Sequence, residues 1–308
     1  MKVLYWLESI RAPWLDAMML AISQLGGEIL FMAIVIALFW CMDKRKGYYL
    51  MTVGFFGIVA NQFLKLVFRV SRPWIRDPEF TIVEGARAGA TGYSFPSGHT
   101  QNAAAVLGCP ARMARKKGLK ITLWVLYALV GISRMYLGVH TPYDVGVGVV
   151  MGLVLVFGLY PFFSEKNYKP QRMYVLLGVM LALSIAFTTY TRLYPFPADI
   201  EVDNLSHGIK NGYTLTGAVA GMLAAFWLDE HYVHFQTAGS LPAHIVKCVV
   251  GLGLLLGIKT VLKPPMNALF GGDPIADAFR YAIVVFFAAG LWPMTFLWIN
   301  RLLPGKKA

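Results

Sequence analysis

The sequence predicts an all-α bundle of transmembrane helices, and two observations lead to this fold class. Hydrophobic residues make up 57% of the 308 residues and charged residues only 14%, whereas soluble globular proteins carry roughly 25% charged residues. Long apolar runs, at 29–40, 121–132 and 145–160, approach the ~20 residues that cross a bilayer as a helix. No polar stretch is long enough for a separate soluble domain. The chain is therefore predicted to be a polytopic membrane protein.

We predict about nine spans, with the N-terminus outside and the C-terminus in the cytoplasm. The spans are placed at 15–41, 47–70, 98–114, 119–137, 143–163, 173–190, 212–228, 244–262 and 279–300. One set of segments carries 15 Lys and Arg against 4 Asp and Glu, at 43–47, 112–120, 164–172, 229–247 and 301–308. The rest of the chain carries 13 against 12. Because cytoplasmic loops accumulate Lys and Arg, the basic set is assigned to the cytoplasm. The positive charge of these segments accounts for the net charge of +12, so that no nucleic-acid partner is needed to explain it.

Three parts of the chain are distinguished by their hydrophobic pattern. Residues 1–14 are predicted to form an amphipathic segment in the membrane interface, with Trp6 and Trp14 at the depth of the lipid headgroups. Residues 15–190 are predicted to form a core of about six spans, and residues 191–308 a C-terminal extension of about three. The lipid bilayer is the expected surrounding, and the sequence leaves the oligomeric state open.

Polar residues gather where the second predicted span ends, in the segment KLVFRVSRP at 65–73. Lys65 and Arg72 are seven residues apart, which places them two turns apart on one face of a helix that Pro73 then ends. Two cations on one face can bind an anion. Lysines and arginines at span ends also commonly extend toward the membrane surface without any further role, so this cluster alone does not establish a site.

A second polar cluster begins the third predicted span, in the segment GYSFPSGHTQN at 92–102. Ser97 is expected to cap the helix, and Gly98 allows close approach of the backbone to a ligand. The unpaired N–H groups and the positive dipole end of such a helix suit a phosphate, with His99 beside it. A capped helix with an incidental histidine is the alternative interpretation.

The third cluster is the segment SRMYLGVHTPYD at 133–144. Thr141 is predicted to cap the fifth span with Asp144 completing a capping box, so one explanation of Asp144 is purely structural. The same geometry lets the Asp144 carboxylate hold one ring nitrogen of His140. The other nitrogen is then free to attack or to accept a proton. Arg134 adds a planar guanidinium that matches phosphate oxygens.

Together the three clusters bring cations, two histidines and one carboxylate to the outer end of the predicted bundle. The cations and the helix N-terminus can hold an oxyanion, and the histidines with the aspartate can perform nucleophilic and acid–base chemistry. Charged residues within spans are costly unless something compensates them. The combination therefore favours an active site over three unrelated helix ends.

These residues closely resemble the three-part signature of the type 2 phosphatidic acid phosphatase family, a family of membrane lipid phosphatases. The family pattern is K-x6-R-P, then P-S-G-H, then S-R-x5-H-x3-D. This sequence matches every position of it, at Lys65, Arg72, Pro73, Pro96, Ser97, Gly98, His99, Ser133, Arg134, His140 and Asp144. The nine-span plan also resembles the glucose-6-phosphatase and sphingosine-1-phosphate phosphatase branches.

The resemblance implies an integral-membrane phosphatase that hydrolyses a phosphate monoester or pyrophosphate of a lipid through a phosphohistidine, at the outer membrane face. His140 would attack phosphorus, Asp144 would orient it, and His99 would protonate the leaving oxygen. The phosphoryl oxygens would be held by Lys65, Arg72, Ser97, Gly98 and Arg134. No cofactor and no metal ion are implied, because arginines take the charge-stabilising part that Mg²⁺ plays in other phosphoryl-transfer enzymes.

Several alternatives stay open at this point. A soluble sugar phosphate in place of a lipid, or transfer of the phosphoryl group to a second lipid, would use the same residues. Soluble vanadium haloperoxidases share the signature, but the predicted spans argue against them. Transporters usually place binding groups near the membrane midplane and show internal repeats, and neither feature is seen here. The long outer loop at 74–95 is interpreted either as a mobile cover over the site or as an ordinary connection.

Overall fold

The computed structural model describes residues 1–304, and every regular element in that range is helical. The predicted all-α fold class is confirmed for this part of the chain, whereas residues 305–308 of the basic tail lie outside it. The helices in chain order are α1 (Lys2–Ser9), α2 (Pro13–Gln24), α3 (Glu28–Cys41), α4 (Lys44–Phe68), α5 (Pro73–Arg76), α6 (Gly98–Ala103), α7 (Cys109–Met113), α8 (Lys117–Tyr136), α9 (Pro142–Phe163), α10 (Pro170–Leu193), α11 (Val202–Leu228), α12 (Leu241–Val261), α13 (Lys263–Leu269), α14 (Ile275–Phe286) and α15 (Phe296–Leu302).

Six helical segments of the described chain are long and apolar enough to cross a membrane, or seven if the pair α2 and α3, bent by 44°, is one span. The predicted span at 98–114 is helical without a break through α6, a π-helical turn at Ala104–Gly108 and α7, but it is too short to belong to this set. The predicted span at 212–228 lies in α11, which is rich in Gly and Thr and falls outside this set. The structure supports a multi-pass membrane protein, while nine spans and their orientation stay predictions.

The described chain forms two compact units. The first comprises Met1–Val35, Tyr49–Ser164 and Asp199–Leu205, and the second comprises Ile36–Tyr48, Glu165–Ala198 and the segment that begins at Ser206. All residues of the three polar clusters belong to the first unit. The second unit is packed through aromatic side chains, with the Trp40 ring 6.2 Å from that of Phe296.

Glycines allow the helices of the first unit to pack closely around α6. A Cβ atom at Gly152 of α9 would stand 2.6 Å from both the Ala104 Cβ and the Tyr127 hydroxyl, which is too close for a real contact. At Gly146 on the same helix, nothing lies within 4 Å of the added atom. The Gly-rich run that the sequence presents at 146–152 therefore holds glycines of two kinds, one required by packing and one facing open space.

The N-terminal segment and the outer loop pack together in the first unit. Helix α1 buries Leu4 and Leu7 and leaves Trp6 63% exposed, as an amphipathic helix should, while its place in the membrane interface stays a prediction. Beyond α5, the loop buries hydrophobic residues including Val83, whose N–H bonds the Leu137 carbonyl at 3.2 Å. This half of the loop is therefore a packed part of the fold.

We expect Gly152→Ala to lower the melting temperature of the purified protein, because the added methyl group forces α9 away from Ala104 and Tyr127. Overpacking of this kind costs about 1–3 kcal/mol. Gly146→Ala is the matched control, since its methyl group meets open space and alanine favours the helix. Thermal unfolding of both variants in one detergent checks the difference; equal melting temperatures would contradict the packing argument.

Candidate active site

The first polar cluster is bent, not helical throughout. Helix α4 ends at Phe68, Arg69 takes a left-handed φ of 49°, and Arg72 has extended backbone before Pro73. The expectation that Lys65 and Arg72 share one face of a single helix is therefore wrong. Proline disfavours helical backbone in the residue that precedes it, so the chain leaves the helix before it reaches Arg72.

The two cations of this cluster are buried and bound by backbone carbonyls. Lys65 and Arg72 are 6% and 4% exposed, and the Lys65 ammonium donates to the Tyr93 carbonyl. The Arg72 guanidinium donates to three carbonyls, those of Thr91 at 2.7 Å, Gly92 at 3.0 Å and Val139 at 2.9 Å. Because a buried charge without polar partners is very costly, these carbonyls allow both cations to remain buried inside the protein.

The second cluster starts a helix, as predicted. Ser97 caps α6, since its hydroxyl accepts from the Thr100 N–H at 3.4 Å. The chain entering this cap is held by Asn61 of α4, whose amide donates to the Pro96 carbonyl at 3.2 Å. The first turn of α6 then presents Gly98 and His99 to a cavity.

The third cluster also has the predicted capping box. The Asp144 N–H donates to the Thr141 hydroxyl at 3.3 Å, and the Asp144 carboxylate accepts from the Thr141 N–H at 2.7 Å. The same carboxylate oxygen accepts from the Ser94 hydroxyl at 2.6 Å. The structural interpretation of Asp144 is therefore confirmed, and the carboxylate lies 3.6 Å from His140 Nδ1 in addition.

The contacts of His140 define its tautomer. Its Nε2 atom lies 3.0 Å from Arg72 Nη1. A guanidinium can only donate, so Nε2 accepts and the ring proton is on Nδ1. That nitrogen is buried, makes no hydrogen bond among the described residues, and has the Asp144 carboxylate as its neighbour. The lone pair of Nε2 is consequently on the side of the ring that faces the cations.

The surroundings of His140 oppose its protonation. It lies in the short connection between α8 and α9, where burial lowers the pKa of the imidazole well below its ordinary value, and the nearby Arg72, Arg134 and Lys65 lower it further. Arg134, in the last turn of α8, donates from Nη1 to the Ser23 hydroxyl at 2.7 Å. Its Nε and Nη2 are buried without a partner among residues 1–304.

One cavity of about 110 Å³ collects most of the predicted residues. Five of the eight line it, namely Lys65, Arg72, Gly98, His99 and His140. The other three, Ser97, Arg134 and Asp144, are not among its lining residues but are buried in the same unit. The cavity can receive an oxyanion between two cations and two imidazoles. In the part of the chain described, no three His, Cys, Asp or Glu side chains gather as a metal site would require.

The sequence analysis missed the contribution of the first predicted span. Ser23 of α2 bonds Arg134, the Gly26 carbonyl accepts from Asn102 at 3.0 Å, and Glu28 of α3 lines the cavity. A Cβ atom at Gly26 would overlap the His99 carbonyl. The segment SQLGGE at 23–28 interrupts an apolar span with polar and glycine residues, and this interruption is the signal that was available.

Family models match the chain in two places. The model described as the PAP2 superfamily matches residues 45–168, and the model described as PAP2 superfamily phosphatase, transmembrane extension, matches residues 213–303. The first match contains all eight predicted site residues.

Individual proteins are similar over different lengths. Phosphatidylglycerophosphatase B of Bacillus subtilis is 33% identical over 51% of this chain and 79% of its own length. A dihydrosphingosine 1-phosphate phosphatase of Schizosaccharomyces pombe is 27% identical over 91% of this chain and 69% of its own length. Among solved structures, the crystal structure of a transmembrane PAP2 type phosphatidylglycerolphosphate phosphatase from Bacillus subtilis is 30% identical. It covers 55% of this chain and 85% of its own chain, with a TM-score of 0.46.

We expect His140 to remain neutral throughout the range from pH 6.5 to pH 8, because burial and three cations lower the pKa of its imidazole. Its NMR resonance in histidine-labelled protein, assigned by its loss in His140→Asn, should keep one chemical shift and the pattern of the Nδ1–H tautomer over this range. A titration of that resonance at or above pH 6.5 would contradict the arrangement.

Proposed function

Because the chain belongs to the PAP2 superfamily and the relatives named above are lipid phosphatases, we propose that it hydrolyses a phosphate monoester or pyrophosphate of a lipid through a phosphohistidine intermediate. The observation that carries the proposal is the cavity in which Lys65, Arg72, His99 and His140 meet. It combines a cationic site for the phosphoryl oxygens with two groups able to move protons or attack phosphorus.

In the first step, His140 Nε2 attacks phosphorus, and the P–N bond forms as the P–O bond to the leaving alcohol breaks. In the Nδ1–H tautomer, the Nε2 lone pair accepts from the Arg72 guanidinium. When that guanidinium donates to a phosphate oxygen instead, the lone pair becomes available for attack. The Asp144 carboxylate, 3.6 Å from Nδ1, stabilises the positive charge that the ring acquires. His99 gives its proton to the leaving oxygen.

In the second step, water attacks the phosphohistidine and His99 accepts its proton. The P–N bond breaks, inorganic phosphate leaves, and both histidines return to their starting states. The unpartnered Nε and Nη2 of Arg134 are donors available to the phosphoryl oxygens, with Lys65, Arg72, Ser97 and the backbone at Gly98 as the other binding groups. Charge stabilisation by these cations makes a metal ion unnecessary to the proposed mechanism.

A lipid substrate follows from the surroundings of the site. The site residues lie at the ends of α4, α6, α8 and α9, three of which are long apolar helices suited to a bilayer. A substrate can therefore keep its apolar chain in the membrane while its phosphate enters the cavity. The relatives named above act, by their names, on phosphatidylglycerophosphate and on dihydrosphingosine 1-phosphate, and both are phosphorylated lipids.

The membrane topology belongs to the same proposal. The asymmetry of Lys and Arg between the two sets of connections supports an outer-facing site, an N-terminus outside and a cytoplasmic C-terminus. We retain nine spans, the phosphatase core at 15–190 and the extension at 191–308 as parts of this proposal. Labelling single cysteines placed in the 74–95 and 112–120 segments from either side of the membrane tests it.

Phosphate release is the direct test of the proposed reaction. Purified protein with a chelator present should release phosphate from at least one member of a panel containing phosphatidic acid, phosphatidylglycerol phosphate, sphingosine-1-phosphate, undecaprenyl pyrophosphate and glucose-6-phosphate. His140→Asn should lower kcat by about 10³-fold or more, because loss of the nucleophile removes the covalent route. Quenching in alkaline detergent with a ³²P-labelled substrate should trap an acid-labile, base-stable phosphoprotein in the wild type.

The matched control is His207→Asn, which removes an exposed histidine of α11 that lines none of the cavities described. It should leave kcat unchanged. Full activity of His140→Asn would rule out the phosphohistidine, and loss of wild-type activity on chelation would rule out the metal-independent mechanism. Phosphate recovered on a second lipid instead of in solution would identify a phosphotransferase.

A further inference from the structure

The turn that carries His140 is held by a residue of the N-terminal segment. Helix α8 ends at Tyr136, Gly138 takes a left-handed φ of 81°, and His140 follows two residues later. The last carbonyls of a helix have no partner within it, so this turn needs hydrogen-bond donors from elsewhere in the chain. One such donor is Arg11, which lies between α1 and α2 and has no part in the proposed chemistry.

Arg11 binds this turn and the outer loop at the same time. Its Nε and Nη2 donate to the Tyr136 carbonyl at 3.2 and 3.1 Å. Its Nη1 donates to the carbonyl and to the hydroxyl of Thr81, at 3.2 and 2.9 Å. The helix dipole also favours a cation at the C-terminus of α8. One guanidinium therefore bridges the end of α8 and the loop segment that packs against it.

Further contacts hold this bridge in place. The Glu8 carboxylate accepts from the Thr81 N–H at 3.0 Å and lies 3.6 Å from the Arg11 guanidinium. A Cβ atom at Gly138 would stand 2.8 Å from Arg11 Nη2 and 2.9 Å from the Thr81 carbonyl. The absence of a side chain at Gly138 thus allows the close approach. All of these residues belong to the first compact unit.

The turn connects Arg11 to the proposed nucleophile over a few residues. The Val139 carbonyl accepts from Arg72 Nη1 at 2.9 Å, and the same Nη1 lies 3.0 Å from His140 Nε2. A displacement of the turn changes both distances together, because Val139 and His140 are neighbours in the chain. The position of Nε2 therefore depends on how firmly the start of the turn, at Tyr136, is held.

We infer that Arg11 is a positioning residue for His140. By holding the Tyr136 carbonyl to the outer loop, it fixes the turn and thereby the distance and direction of Nε2 toward phosphorus. Arg11 is not among the residues that line the cavity, so it acts through the turn and not on the substrate. Misplacement of a reacting group by about 1 Å can lower a rate about 10²-fold. The inference rests on the proposed phosphohistidine mechanism and adds to it a residue outside the three polar clusters.

The test removes the guanidinium group and then supplies it as a free ion. Arg11→Ala should leave a gap between the Tyr136 and Thr81 carbonyls, which guanidinium chloride can fill at a concentration far below that which unfolds the protein. The kcat and KM are measured, with and without this ion, for the substrate of the phosphate-release panel that the wild type cleaves fastest. The His140 resonance of histidine-labelled protein is recorded in the same samples, as a measure of geometry that does not depend on turnover.

Arg11→Ala should lower kcat about tenfold or more and change KM by less than about twofold, because the phosphate-binding groups remain and only the alignment of Nε2 is lost. The His140 resonance should shift from its wild-type position. Guanidinium should return the resonance toward that position and raise kcat in this variant, and it should do neither in the wild type.

Arg76→Ala is the matched control, because Arg76 is an exposed arginine at the end of α5 that lines none of the cavities described. It should leave kcat, KM and the His140 resonance unchanged, with and without guanidinium. An unchanged kcat in Arg11→Ala would overturn the inference. A loss of kcat that guanidinium does not restore would overturn it as well, since it would show a merely structural arginine.

Failure of the proposed function gives a different result. Folded wild type that releases phosphate from no substrate would reject the phosphatase proposal. In that case, a shift of the His140 resonance in Arg11→Ala and its recovery with guanidinium would still show that Arg11 positions the ring. A resonance that does not shift would overturn the inference whatever the activity.

Discussion

The burial of the Arg72 guanidinium is the constraint on which the rest of the site depends. At 4% exposed, this cation is stable only because backbone carbonyls replace the water it has lost. Those carbonyls come from Thr91, Gly92 and Val139, so two segments far apart in the chain are tied to the residue that precedes α5. The segment with Val139 continues into His140, whose ring nitrogen meets the same guanidinium. Solvation of one charge thereby assembles the site.

The site also keeps polar groups that the fold itself does not satisfy. Arg134 has two buried donors without a partner, and Gln101 and Asn102 each have one such atom. Buried polar groups without a partner lower the stability of the protein. Ser97 caps α6 and Asp144 completes the capping box of α9 by contrast, so the starts of both helices are fixed by hydrogen bonds.

The features that the sequence predicted correctly are local ones. Caps at Ser97 and Thr141, the capping box of Asp144 and the position of Arg134 in the last turn of α8 all depend on residues within four positions of each other. The prediction for Arg72 failed because a seven-residue spacing was assumed to be helical. Pro73 was expected to end the helix, whereas the helix already ends at Phe68 and the chain turns at Arg69.

The sequence by itself determined the helical class, the membrane character and the match to the family signature, because hydrophobic composition and short-range spacing encode them directly. Only the tertiary structure decided that the break between α2 and α3 reaches the cavity and that His140 faces Arg72. Contacts within the site join residues far apart in the chain, and the hydrogen bond from Arg134 to Ser23 spans more than a hundred positions. Contacts of that range depend on how the helices pack and on which groups hydrogen-bond the buried charges. Local sequence patterns do not encode helix packing or these partners.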